Sequence, residues 1–365
     1  MTGRDKLLIE GLKAAKEGNY NGIFLLPTGV GKGKLMIEIA KHLDPKNILY
    51  LCNTTLLRDK MFKDELAKWD AAYLLNKMEL QCYQTACKWV GRRYELLLAD
   101  EFDAALTPEY IKAITNNIYD KKILVSATLD DAKRKQATKI APILFERKPK
   151  QVIADGVING VKFYFVNYNL SHEENGMYLH YNREFKTLLN AFRTKEVDAK
   201  LESLQIFRKQ WMCKLNSSLE VTKWLISNLS KKDEKILVFC GLSAQSDKVC
   251  RYSYHSNNDD EQLLKDFDSG KIRVLSVVDK INRGLNIAEI RNIIFESTGR
   301  SKTKITQRIG RGQRLDVNET LNVFFLIPHF MDLWGNRKPT VVMNWILEST
   351  KDMDLTNLVT INYKK

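Results

Sequence analysis

The segment Leu25-Leu26-Pro27-Thr28-Gly29-Val30-Gly31-Lys32-Gly33 constrains this fold more than any other part of the chain. It follows an apolar run, and a helical spacing of apolar residues begins directly after it. Glycines at such a junction let backbone N–H groups curl around phosphate oxygens without β-carbon clashes, and the helix N-terminus aims its partial positive charge at the same point. Lys32 adds a compact charge suited to the β and γ phosphates of a nucleotide. A strand, a glycine loop and a helix in that order belong to a parallel sheet wound with helices.

The rest of the first 150 residues agrees with that reading. Short apolar runs at Gly22–Leu26, Asn47–Cys52, Glu95–Ala99 and Lys122–Val125 carry almost no polar alternation, as expected of strands covered on both faces. Between them, helical periodicity predicts helices at Lys32–His42, Leu56–Trp69, Pro108–Ile118 and Asp130–Ile140. The same grammar returns from Lys235, with strands predicted at Ile236–Cys240, Ile272–Val277, Asn292–Phe295 and Leu321–Leu326. The expected organisation is therefore α/β: a nucleotide-binding domain over residues 1–150, a connector over 151–234, a second α/β domain over 235–330 and a tail over 331–365. The connector is neither Gly/Ser-rich nor Pro-rich, so it reads as a hairpin at Val161–Val166 followed by helices packed on the second domain. In the tail, Val341–Leu347 reads as one docking helix.

Lysine and arginine total 58 against 44 acidic residues, and the net charge of +14 suits a polyanionic partner. Six cysteines without a C-x-x-C spacing give neither a zinc module nor a disulfide framework, which fits a reducing cytoplasm. No apolar stretch approaches the length of a membrane span.

Three further blocks carry chemistry. Leu96-Leu97-Leu98-Ala99-Asp100-Glu101-Phe102-Asp103 is an apolar strand ending in acids, a costly arrangement unless the charges face a metal or a cation. About seventy residues after a phosphate loop, Asp100 is the candidate Mg²⁺ ligand and Glu101 the group that orients and deprotonates an attacking water. Ser126-Ala127-Thr128 ends the next strand, and the Ser126 and Thr128 hydroxyls are candidates for coupling the acids to domain closure. In Gln307-Arg308-Ile309-Gly310-Arg311-Gly312-Gln313-Arg314, arginines at helical spacing reach a γ-phosphate across a cleft, on a segment that Gly310 and Gly312 are expected to break. Upstream, Gly284 within Asp279–Ile287 permits close approach of backbone to phosphate.

In this order the blocks resemble the motif series of superfamily-two helicases of the DEAD/DEAH type, over Gly22 to Leu326. Pro27–Lys32 resembles motif I, Asn53-Thr54-Thr55-Leu56-Leu57 motif Ia, Asp100–Asp103 motif II and Ser126–Thr128 motif III. Val238-Phe239-Cys240-Gly241 resembles motif IV, Asp279–Ile287 motif V and Gln307–Arg314 motif VI. The resemblance implies two tandem RecA-like domains that use ATP and Mg²⁺ to move on nucleic acid as a monomer. It assigns Lys32, Asp100, Glu101, Gln307, Arg311 and Arg314 to catalysis, and Pro27–Gly33 with Gly284 to the nucleotide. Asn53, Thr54, Thr55, Arg58 and Gly241 are assigned to the nucleic-acid backbone. The glutamine-led motif VI is similar to that of DNA-processing branches, including phage recombination helicases of the UvsW type, so DNA is the expected partner. An RNA helicase and a nucleic-acid clamp with a weakened motor are the alternatives.

Of four departures from the family pattern, Gly33, Val278 and a missing glutamine motivate that last alternative. Gly33 stands where the family has a Mg²⁺-ligating Ser or Thr, leaving a position for water. Val278 replaces a backbone-contacting Thr, and Asn286 an Asp. No glutamine precedes Gln81, so Arg4 is the one polar residue ahead of motif I placed to contact the base or ribose.

Overall fold

The computed structural model describes every residue except 128, 231–232, 279–286, 288, 300, 314, 352 and 365, and the side chains of 302 and 303. The chain divides into two compact units, the first spanning Met1–Asn159 and the second beginning at Gly160.

Six strands form the sheet of the first unit: β1 (Asn21–Leu25), β2 (Ile48–Cys52), β3 (Met78–Cys82), β4 (Arg93–Ala99), β5 (Ile118–Ser126) and β6 (Ile143–Glu146). Their order is β3-β2-β4-β5-β1-β6, and every pairing is parallel. Period-two alternation divides the side chains between two cores. Phe24, Leu96 and Leu98 enter one with Leu35, Met36 and Phe62, whereas Ile23, Leu25, Leu97 and Ala99 enter the other with Phe102 and Ala113. Both faces are buried along the later part of these strands, which is why residues 23–25, 48–52 and 96–99 read as unbroken apolar runs. Each such Leu or Ile contributes about 1.5–3 kcal/mol on burial.

Two elements of this unit differ from expectation. Of the helix predicted at Pro108–Ile118 only one turn forms, Lys112–Thr115, because Ile118 already begins β5. Leu56–Trp69 is helical but not uniform, with a π-helical turn at Leu57–Met61 ahead of the helix Phe62–Lys68.

The second unit carries β7 (Gly160–Asn169), β8 (Lys235–Phe239), β9 (Ser253–Tyr254), β10 (Val274–Val277), β11 (Ile290–Phe295), β12 (Thr320–Met331), β13 (Arg337–Pro339) and β14 (Val359–Asn362). The order is β14-β7-β12-β11-β8-β10-β9, parallel throughout, with β13 antiparallel on β12. The expected hairpin at Val161–Val166 is instead the single long strand β7, paired on both sides with parallel strands from much later in the chain. Three helices follow it, His172–Asn190, Lys195–Met212 and Asn216–Leu229, and Asn216–Leu229 packs on β7 and β12. The tail forms the helix Val341–Thr350, longer than expected, and then β14.

Register builds an aromatic row across this sheet: Phe239, Phe295, Phe325 and Phe165 are aligned on β8, β11, β12 and β7. Phe239 and Phe295 stack at 5.4 Å, and Phe295 and Phe325 at 4.8 Å. Among the described residues, no helix is long and apolar enough to cross a membrane.

Candidate nucleotide and nucleic-acid sites

The loop after β1 has the backbone that its glycines permit. Gly29 and Gly31 take φ of +87° and +94°, left-handed values that a β-carbon disfavours, and nothing lies within 4 Å of where a β-carbon on Gly31 would stand. The helix Lys32–Leu43 then starts with Gly31 as its N-cap and no side chain capping it. Its first N–H groups therefore face the open side of the loop, the arrangement that holds a phosphate. Lys32 Nζ donates to the carbonyls of Leu26 at 3.2 Å and Pro27 at 3.5 Å, which folds the ammonium back over the loop. Thr28 Oγ1 is buried and has no hydrogen-bond partner among the described residues. A buried hydroxyl of this kind beside a loop of backbone N–H groups fits a polar ligand such as a phosphate and its cation.

Two strands away, β4 delivers the acids. Asp100 Oδ1 accepts from the Glu101 backbone N–H at 2.8 Å, and Tyr50 O–H donates to Oδ2 at 3.4 Å. Burial raises the Asp100 carboxyl above the usual carboxylate range, and the Lys32 charge partly offsets that rise. Lys32 and Asp100 are thus electrostatically coupled, as a shared nucleotide–cation site requires. Tyr50 is held by stacking on Phe62 at 3.8 Å, while Tyr83 O–H donates to the Asp100 carbonyl at 2.8 Å. Glu101 takes φ of +49°, a strained value for a residue with a β-carbon, and this turns its side chain out of the strand direction. Asp103 is 5% exposed and accepts from Ser126 Oγ at 2.9 Å, joining the ends of β4 and β5. Lys133 also donates to the Asp103 carbonyl at 3.0 Å.

At Gly33 the hydroxyl is absent, and a side chain from the neighbouring helix stands there. Glu65 Oε2 lies 2.9 Å from the position of a β-carbon on Gly33 and accepts from Trp69 Nε1 at 3.2 Å. Among the described residues no three metal-ligating side chains cluster. One carboxylate at Asp100 suffices for Mg²⁺, which keeps several waters and takes its remaining oxygens from substrate phosphates.

After β2, Asn53 accepts from Gln84 Nε2 at 3.3 Å through its carbonyl. Thr54 Oγ1 accepts from Leu57 N–H, Thr55 is exposed, and Arg58 is forked onto Asp59 at 2.6 and 2.8 Å.

In the second unit, the helix Lys302–Gly312 runs through Gly310 and stops at Gly312, so Gly310 does not break it. A β-carbon on Gly312 would meet Leu321 Cδ1 at 2.4 Å, so the Leu321 side chain would have to shift to admit one. Gln307, Arg308 and Arg311 are each under 9% exposed. Arg308 lies over the Phe239 ring at 4.7 Å, so the aromatic row of the sheet supports the helix that carries the arginines. Gly241 is fixed by packing: a β-carbon would meet Cys213 Sγ at 2.4 Å and Ser297 Oγ at 2.6 Å.

Residues 5–96 match the family described as type III restriction enzyme, res subunit, and residues 217–316 match the helicase conserved C-terminal domain. Together they take in more than half of the chain. The chain carries the two domain families of a superfamily-two helicase. It is a nucleic-acid-dependent ATPase with two RecA-like domains.

Solved structures agree on the fold. The ATP-dependent type ISP restriction-modification enzyme LlaBIII bound to DNA is similar at 13% identity and a TM-score of 0.66, over 100% of this chain and 31% of that one. This helicase thus spans under a third of that enzyme's length. The Pyrococcus furiosus Hef helicase domain is similar at 16% identity and a TM-score of 0.55, covering 96% and 100% of the two chains. S. cerevisiae Dbp5 bound to RNA and ADP BeF3 gives 12% identity and a TM-score of 0.56, covering 97% and 93%. No match is found among curated proteins.

Within this helicase, the structure brings together Pro27–Gly33, Asp100 and Glu101 in the first unit, and Gln307 and Arg311 in the second. Thr128, Arg314, Gly284 and the rest of 279–286 lie outside the described residues. Arg4 donates through Nε to the Val157 carbonyl at 3.1 Å, which ties the first helix to the end of its own unit. Tyr50, Tyr83 and Glu65 are the neighbours of the site that the motifs do not announce.

Proposed function

We propose that the chain is an ATP-driven motor on DNA, in which the glycine loop and Lys32 hold the nucleotide phosphates and Glu101 prepares the attacking water. The observation that carries the reading is the left-handed glycine loop with Lys32 folded over it at the N-terminus of its helix, two strands from the Asp100–Glu101 strand end. Asp100 would hold Mg²⁺, and Gly33 offers it no hydroxyl. The chemistry such an ion would supply there is neutralisation of the phosphate charge. Glu101, turned out by its left-handed backbone, accepts the proton of the water. Arg311 and Arg314 supply the guanidinium charge that turnover requires, and Gln307 belongs to the same catalytic set. The hydrogen bond from Ser126 to Asp103 supports a coupling role for Ser126, with Thr128 as its companion.

Asn53, Thr54, Thr55 and Arg58 track the phosphate backbone from the first unit, and Gly241 does so from the second. Arg58 exchanges its surface pairing with Asp59 for phosphate at small cost, because an exposed ion pair is worth about 0–1 kcal/mol. The net charge of +14 and the glutamine-led Gln307–Arg314 block support DNA, in the manner of phage recombination helicases. The motor acts as a monomer in a reducing cytoplasm.

ATPase measured alone, with single-stranded DNA, with duplex DNA and with RNA tests the reading. Stimulation by DNA above RNA is expected, with affinity falling steeply as salt rises. Stimulation by RNA alone makes the protein an RNA motor, and binding without turnover makes it a clamp.

A further inference from the structure

Strand β12 does not stop where its sheet neighbours do. Its pairing with β11 ends at Phe325, yet it continues to Met331, held first by β7 and then by β13. Six more residues at about 3.3 Å each carry it roughly 20 Å beyond the end of β11. The hairpin therefore projects from the carboxyl edge of a parallel sheet, the edge from which the Gly241 loop also emerges and where α/β folds place their ligands.

The turn that closes this hairpin is tightly built. Asp332 N–H donates to the Asn336 carbonyl and Gly335 N–H to the Asp332 carbonyl, both at 3.0 Å, with Gly335 at φ of +79°. Asp332 Oδ1 also accepts from the N–H groups of Trp334 at 3.0 Å and Asn336 at 2.8 Å. Lys338 pairs with its Oδ2 at 2.7 Å, and Lys338 together with the turn N–H groups holds the carboxyl down to about 2. The base is clamped as well. Asn175 exchanges two hydrogen bonds with the Met331 backbone, and Arg337 Nε donates to Asn169 Oδ1 at 2.7 Å.

What this stiff turn displays is apolar. Leu333 is 72% exposed and Trp334 81%, whereas the next most exposed of the six tryptophans, Trp224, is 37% exposed. A tight network that holds an indole in water is costly unless the ring meets something flat. In a strongly basic, nucleic-acid-dependent ATPase, with Arg337 and Lys338 on the adjoining strand, the flat partner is a nucleobase.

We propose that Trp334 is a stacking platform for an unpaired base of single-stranded nucleic acid at the carboxyl edge of the second unit. An indole accepts any base, so the contact carries no sequence preference. It builds on the nucleic-acid dependence of the family, and its test is a binding measurement independent of turnover.

The probe is a fluorescently labelled single strand, compared with an abasic strand of the same length and phosphate number at one salt concentration. Trp334→Ala is expected to weaken binding to the base-bearing strand roughly 5- to 100-fold. Binding to the abasic strand should not change, and Trp334→Phe should restore most of the loss. Since the side chain is exposed, neither variant disturbs folding. Equal losses on both strands, or no loss on either, overturn the proposal. A tip that docks a protein gives the second result. Wild-type ATPase that no nucleic acid stimulates contradicts the motor reading instead, and leaves the binding comparison to be judged on its own.

Discussion

Glu65 Oε2 stands 2.9 Å from where a β-carbon on Gly33 would sit, so the carboxylate of one helix occupies the space that a hydroxyl on the next would need. The bond from Trp69 Nε1 fixes it there. Gly33→Ser must therefore displace Glu65, at a stability cost of about 0.5–1.5 kcal/mol for the lost hydrogen bond. Glu65→Ala in the same chain should relieve the crowding. The double variant should then reach half-maximal ATPase at lower free Mg²⁺ than wild type, because the new hydroxyl replaces a water. Thermal unfolding and a Mg²⁺ titration check the two halves separately. Identical half-saturating Mg²⁺ in wild type and double variant would remove any energetic role for the missing hydroxyl.

Lys32→Ala and Glu101→Gln should both abolish turnover, by different routes. The first removes a charge from the phosphates and weakens nucleotide binding. The second keeps that charge and loses only the proton acceptor. A fluorescent ATP analogue titrated into each protein distinguishes them, and rapid hydrolysis by Glu101→Gln would overturn the assignment of the base.

Arg311→Ala should lower kcat about a thousandfold or more, with nucleotide affinity in the absence of nucleic acid close to wild type. Arg308→Ala should behave otherwise. Its guanidinium rests on Phe239, so its removal should lower the stability of the second unit. Urea unfolding beside steady-state ATPase reads both effects.

Glu296 gives a pH signature. It is 2% exposed, accepts from Ser218 and from Gln245 Nε2, and burial lifts its carboxyl from 4.5 to about 7. Between those values the native state holds a proton that the unfolded state has released. Stability should therefore fall as pH rises through this window and level off above it, by at most about 3 kcal/mol. Glu296→Gln keeps the acceptor oxygen and never ionises, so the slope should vanish. Denaturant midpoints for the second unit at pH 5, 6, 7 and 8 provide the check.

The strands easiest to read from the sequence are those buried on both faces. Residues 23–25 of β1, 48–52 of β2, 96–99 of β4, 236–239 of β8 and 293–295 of β11 are continuous apolar runs because no face of theirs meets water. The edge strand β3, Met-Glu-Leu-Gln-Cys, is half-exposed for most of its length and gives no such run, and β6 is only four residues long. β7 was open to misreading because an apolar segment does not reveal its partners, which here lie some 160 and 195 residues away. The glycine loop and the acidic strand end are legible because each is local. Tyr50 and Glu65 reach the same place from other elements, through packing that no short motif records.

The pairing of β14 with β7 also bears on how the chain is made. β7 opens the second unit and β14 is the latest of its strands among the described residues, so this sheet cannot close until residues 359–362 have left the ribosome. The first unit needs nothing beyond Asn159 for its six strands and matures while the second is still being synthesised. Throughout that interval β7 presents an unpaired edge rich in Phe, Tyr and Val, the kind of surface that joins strands of other chains. Slow synthesis or a stop codon before residue 359 thus turns a structural seam into a point of aggregation.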